Sequence, residues 1–63
     1  MTKNLTLKTV AELLGCSKRT VYRLIADAEL RAFKVRGSLR VPEESLEEYR
    51  ARQIAKFVEE QYA

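Results

Sequence analysis

The stretch Leu7-Lys8-Thr9-Val10-Ala11-Glu12-Leu13-Leu14-Gly15-Cys16-Ser17-Lys18-Arg19-Thr20-Val21-Tyr22-Arg23-Leu24-Ile25-Ala26 decides the fold. Leu7, Val10, Ala11 and Leu14 recur at helical spacing. Thr6, just before them, is placed to N-cap the helix through its hydroxyl. Gly15 stops it, as a left-handed residue just past a helix end does. Cys16 is a small apolar residue between polar neighbours, a position for core packing rather than redox chemistry. Ser17 is a second N-cap, and Val21, Leu24, Ile25 and Ala28 form the next helical stripe. The spacing predicts helices over 7–14 and 18–28.

Toward the C-terminus the pattern changes at Leu30. Ala32-Phe33-Lys34-Val35 and Leu39-Arg40-Val41 alternate apolar and charged residues, the period of half-buried strands. Between them lies Arg36-Gly37-Ser38, with Gly37 free to take positive φ. This reads as a short β-hairpin over 31–41 with Gly37 and Ser38 at its tip. Phe33, Val35, Leu39 and Val41 are read as the face that covers the core. Pro42 ends the second strand. Residues 43–61 read as one long helix. Its first turn is rich in acids, which the helix dipole favours, and Glu48 and Arg52 are spaced as an i,i+4 pair.

Sixty-three residues make one small domain. Such a chain buries only about 60% of the surface it exposes when unfolded. The domain spans 1–63, with 50–63 a C-terminal helical extension. One Cys excludes an internal disulfide and, without any His, an ordinary zinc site. No metal and no cofactor are expected. No apolar run approaches the ~20 residues of a membrane span, and the N-terminus lacks a signal-peptide core. The expectation is a cytoplasmic protein with no membrane partner. An enzyme is not expected. The chain lacks the commonest general base, shows no Gly-rich phosphate loop and has little material to wall a catalytic cavity.

The charge is uneven. Residues 1–41 carry nine bases and three acids, and residues 42–63 carry three bases and six acids. A basic body with an acidic tail points to a polyanion partner, such as nucleic acid, or to a solvated mixed surface.

The first two helices carry more detail than a helical hairpin requires. Counted from Leu7, Ala11 falls at the fifth place, where the helices cross and only a small side chain fits. Gly15 falls at the ninth, the turn. Val21 and Leu24 fall at the fifteenth and eighteenth, facing the first helix. These are the constrained positions of a DNA-binding helix-turn-helix. On the second helix, Arg19, Arg23 and Ala26 lie opposite Val21, flanked by Thr20 and Tyr22. Ser17, Lys18 and Arg19 project from its N-terminal end. A recognition helix enters the major groove with that end first, where Arg pairs bidentately with guanine. Ser17, Thr20 and the free N–H groups of the first turn suit phosphate oxygens. Tyr22 is placed either against a sugar or thymine methyl, or over Phe33. In the hairpin, Lys34, Arg36, Gly37, Ser38 and Arg40 make a slim basic element. Such an element follows a phosphate backbone or enters a minor groove, where Arg favours narrow A·T tracts.

Several segments together resemble the excisionase-type helix-turn-helix. They are Leu5-Thr6, Val10 to Ser17, Arg19 to Ile25, Glu29-Leu30, Ala32 to Val35, Gly37, Arg40-Val41-Pro42 and Leu46 to Tyr49. The resemblance covers about residues 5–49. The family is similar in fold to the winged-helix part of MerR-type regulators. It implies a mainly α fold with a small β-hairpin, a winged helix-turn-helix. The second helix would lie in the major groove, with the hairpin as a wing on the backbone or minor groove. It also implies a phage or mobile-element protein acting in the bacterial cytoplasm, associated with the nucleoid. Such recombination directionality factors bind attachment-site DNA in several copies, bend it and direct an integrase toward excision. Two positions depart from the family. Ala28 stands where the family usually has Gly, which predicts a less sharp end to the second helix or a longer one. Arg31 stands where it often has Pro, which predicts a looser start to the wing.

The long helix carries two apolar faces. Leu46 and Tyr49 share one. Ile54, Phe57 and Val58, with Tyr62 beside them, form a second, rotated by about 100°. One straight helix does not easily bury both on a small core. Ile54, Phe57, Val58 and Tyr62 are therefore read as a protein–protein surface, for another copy on DNA or for an integrase. The competing reading bends the helix or lays the cluster on the first helix. Three functions stay open: an excisionase, a MerR-like transcriptional regulator, and an interaction adaptor that does not bind DNA.

Overall fold

Six elements follow one another in the order β1 (Asn4–Thr6), α1 (Leu7–Leu14), α2 (Lys18–Ala26), β2 (Phe33–Val35), β3 (Ser38–Pro42) and α3 (Glu43–Tyr62). The computed structural model describes residues 3–62, and the side chain of Tyr62 lies outside the described part. The architecture is a winged helix-turn-helix. Three helices are joined to a three-stranded antiparallel sheet in the order β1-β3-β2.

Both short helices start on a hydroxyl. Thr6 Oγ1 accepts from the Thr9 N–H at 3.2 Å, and Ser17 Oγ accepts from the Thr20 N–H at 3.2 Å. Each bond satisfies one of the orphan donors of a first turn. Both helices also end alike. After α1, the Gly15 N–H donates to Glu12 O at 3.3 Å and the Cys16 N–H to Ala11 O at 2.9 Å. After α2, the Ala28 N–H donates to Ile25 O at 3.1 Å and the Glu29 N–H to Leu24 O at 2.8 Å. This paired 5→2 and 6→1 pattern is the Schellman motif, which needs a left-handed residue at its hinge. Gly15 takes φ 69° and Ala28 takes φ 60°. Ala28 thus does what a glycine would do, at the cost of Cβ strain. Helix α2 consequently stops at Ala26 rather than 28, because Ala28 has left the helical region although its spacing fits the stripe.

The sheet corrects the reading of 31–41 in two ways. It gains a strand, β1, whose three residues are too few to show a period. Leu5 pairs with Val41, flanked by Asn4 with Pro42 and Thr6 with Arg40. The turn also holds two residues rather than three. Arg36 (φ 51°) and Gly37 (φ 82°) both take positive φ, the I′ geometry that matches the twist of a hairpin. Val35 therefore pairs with Ser38, Lys34 with Leu39 and Phe33 with Arg40. Directly paired residues share a face. So Leu5, Val41, Leu39 and Lys34 line one face, and Phe33, Val35, Ser38 and Arg40 the other. Phe33 and Val35 do not cover the core. They stand 40% and 42% exposed on the outer face.

The core is small. Leu7, Val10, Ala11, Val21, Leu30, Val41 and Leu46 are buried, with Cys16, Leu24, Ile25, Leu39 and Tyr49 half-buried against them. Helix α3 joins this core only through its first half. Leu46 and Ser45 are buried, and Tyr49 and Gln53 are half-buried, whereas residues 54–61 are all exposed. Two basic residues tie that half to the segment after α2. Arg31 donates its N–H to Ser45 Oγ at 2.8 Å and its guanidinium to Glu48 Oε2 at 2.9 Å. Arg52 donates to Glu29 O at 2.6 Å. The i,i+4 partner proposed for Glu48 is thus replaced by Arg31. The wing base is tied rather than loosened at Arg31, through an N–H that a proline there would lack.

Candidate nucleic-acid interface

Ser17 and the residues after it form the first turn of α2, and the Val21 stripe decides which way they point. Val21 is fully buried and Leu24 and Ile25 are half-buried. A helix held on that side must present its opposite side to solvent. Lys18, Arg19, Thr20, Tyr22, Arg23 and Ala26 are accordingly exposed. Ser17 and Thr20 are exposed as well, but their hydroxyls are 3.2 Å apart and already serve the cap. Their mutual contact uses the proton of one hydroxyl and leaves the O–H of the other to donate elsewhere. Arg23 meets one carboxylate, Asp27, with Nε to Oδ2 at 3.9 Å. Those side chains are 84% and 61% exposed, so the pair is weak and leaves the guanidinium free to turn.

The wing brings its own cations to the same side. Lys34, Arg36, Gly37 and Ser38 are exposed, and Arg40 is half-buried, with Nη1 donating to Leu39 O at 3.0 Å. The I′ turn forces Arg36 into a left-handed conformation that usually falls to Asn, Asp or Gly.

Between α2 and the wing opens a cleft of about 470 Å³, lined among others by Thr6, Lys8, Lys18, Tyr22, Lys34 and Arg40. The sequence-derived candidates Lys18, Tyr22, Lys34, Gly37, Ser38 and Arg40 meet here, whereas Arg19 and Arg23 stand outside it on the exposed face of α2. Tyr22, 54% exposed, belongs to this cleft, and Phe33 lies on the far face of the hairpin. Two further lining residues, Thr6 and Lys8, come from the start of α1. One signal marked Lys8. It is a cation in a first turn, where the helix dipole disfavours positive charge.

The remaining candidates lie far along α3. Ile54, Phe57 and Val58 are 65%, 62% and 47% exposed. Tyr62 was placed beside them, but its side chain falls outside the described residues. Among the described residues, no group of three His, Cys, Asp or Glu side chains is placed to hold a metal ion, and no helix is long and apolar enough to cross a membrane.

Comparison with known proteins agrees with this geometry. A family model described as a helix-turn-helix domain, a DNA-binding domain found in excisionase-like proteins, matches residues 5–54. No curated protein and no solved structure matches the chain. The matched span runs from β1 through both helices and the wing to the exposed half of α3, and the chain belongs to the family of DNA-binding helix-turn-helix domains.

Proposed function

We propose that this protein is an excisionase, a factor that binds attachment-site DNA in several copies, bends it and turns an integrase toward excision. One observation carries the reading. Arg19 and Arg23 on α2 and Lys34 and Arg36 on the wing stay exposed on a domain of the helix-turn-helix family. In this reading α2 lies in the major groove, with Arg19 and Arg23 at base edges and Ser17, Lys18, Thr20 and Tyr22 along its flanks. Lys34, Arg36, Gly37, Ser38 and Arg40 follow the backbone or the neighbouring minor groove. A single module of this size buries about 600–1,000 Å² on DNA, so useful specificity calls for adjacent copies. The exposed Ile54, Phe57 and Val58 supply a contact surface for such a neighbour, or for the integrase.

The test is a gel-shift titration on attachment-site DNA, with integrase absent and then present. Stepwise, cooperative retardation that integrase strengthens is the expected result. A single shift on palindromic promoter DNA, indifferent to integrase, would replace the excisionase by a transcriptional regulator. No shift at low salt would leave only an adaptor.

A further inference from the structure

We propose that the cleft between α1, α2 and the wing is a channel for the sugar–phosphate backbone of one DNA strand, and that Lys8 of α1 anchors it. This rests on the reading above, in which α2 occupies a major groove and the wing reaches the minor groove beside it. Adjacent grooves of a duplex are separated by one backbone. If both elements are seated, that backbone must pass between them, and what lies between them is this cleft.

The lining suits such an occupant. Lys8, Lys18, Lys34 and Arg40 converge from four separate elements, and no acidic residue lines the cleft. The ion pairs Arg23–Asp27, Arg31–Glu48 and Arg52–Glu29 lie elsewhere. Collecting four like charges without a carboxylate disfavours the free protein, and a polyanion reverses that term. Beneath the cations the surface is mixed rather than charged. Tyr22 and Leu39 offer apolar area to a deoxyribose, and the Ser38 hydroxyl can donate to a phosphate oxygen. The two-residue turn puts Lys34 on the same face as Leu39, and both line the cleft, which Ser38 and Arg40 also line from the opposite face.

Such a channel orients the protein and carries no base information. Its loss therefore looks different from loss of base readout. Lys8→Gln removes one phosphate contact. It should lower affinity for specific and unrelated duplexes by the same factor, and flatten the slope of log K against log salt by about 0.9. Lys8→Arg should restore both. Lys56→Gln, a charge change on the exposed part of α3, should leave the slope unchanged.

The decisive experiment uses a duplex selected by the full chain from a random library. A single neutral methylphosphonate is then walked along each strand. The unaltered protein should lose affinity at a short run of positions on one strand, between the major-groove site of α2 and the minor-groove site of the wing. At one of these positions the Lys8→Gln protein should show no further loss, because the charge that met that phosphate is already gone. Unchanged thermal melting will show that the variant is folded. If the unaltered protein selects no duplex, the DNA-binding reading fails and this inference with it. If it binds its duplex and Lys8→Gln matches it in affinity, salt slope and methylphosphonate profile, the channel alone is overturned.

Discussion

Helices α1 and α2 begin and end with the same hydrogen bonds, yet α1 buries Leu7, Val10 and Ala11 while α2 buries Val21 alone. Each starts on a hydroxyl cap to a threonine three residues on, and each ends in a Schellman motif. Ends of this kind set where a helix lies, and the exposed face sets what it can do. Helix α1 is a strut whose outer side holds Lys8, Glu12 and Leu13. Helix α2 is held by one thin stripe, so most of its surface stays free for a ligand. A recognition element needs that imbalance. A helix buried on two sides could not enter a groove.

The strongest way to test this contrast is to strip the outer faces. Arg19→Ala with Arg23→Ala should weaken specific DNA binding by about 30-fold or more, since each bidentate pair to a base contributes roughly 1–3 kcal/mol. Thermal stability should hardly move, because both side chains are exposed. Glu12→Ala, on the outer side of α1, should change neither quantity. Fluorescence anisotropy on a selected duplex, paired with a thermal melt, measures both. A Glu12→Ala effect as large as that of the arginine pair would abolish the distinction between strut and reader.

The buried sides should behave oppositely. Val10 and Val21 are both fully buried and belong to one core. Either one changed to Ala should lose about 2 kcal/mol of stability, the transfer term of two methyl groups plus a cavity. Urea unfolding would show the loss. A Val21→Ala protein as stable as the parent would mean that α2 is not held by its stripe.

The smallest effects sharpen the comparison most, because they are mirror images. At Gly15 a Cβ would meet nothing within 4 Å, so only backbone conformation opposes Gly15→Ala. That change should lose about 0.5–1 kcal/mol, left-handed strain partly offset by a less flexible unfolded chain. Ala28→Gly should gain a similar amount for the same reason read backwards. Together they should nearly cancel in a urea midpoint. A gain from Ala28→Gly without a matching loss at Gly15 would show that the two hinges are not equivalent.

Ala28 also shows how far local reading reaches. Gly15 announces a left-handed hinge because glycine is the residue that adopts it freely. Ala28 announces a helix, and its spacing from Val21, Leu24 and Ile25 supports that. It was the next residues, drawn back to put Leu30 in the core, that forced it out of the helix. The hairpin repeats the lesson. Its alternation and its Gly37 are visible in the sequence, but the turn could hold two residues or three. A one-residue slip exchanges the faces of the two strands. Phe33 and Val35 accordingly stand on the outside, beside Arg40, where the alternation alone would place them inside. Arg31 and Glu48 make a third case. Glu48 has a good partner four residues along, but the fold offers it a guanidinium from another segment.

By itself, then, the sequence determined what depends on neighbours along the chain: both N-caps, the Gly15 hinge, the apolar stripes of α1 and α2, the basic face of α2 and the exposed second face of the long helix. These follow from side-chain chemistry at helical spacing, which acts over a few residues. Only the tertiary structure decided the hairpin register, the added strand at Asn4–Thr6, the tie from Arg31 to α3 and the meeting of Lys8 with Lys18, Lys34 and Arg40. Those depend on pairings between segments distant in sequence, where several partners are locally acceptable and burial of one shared core selects among them.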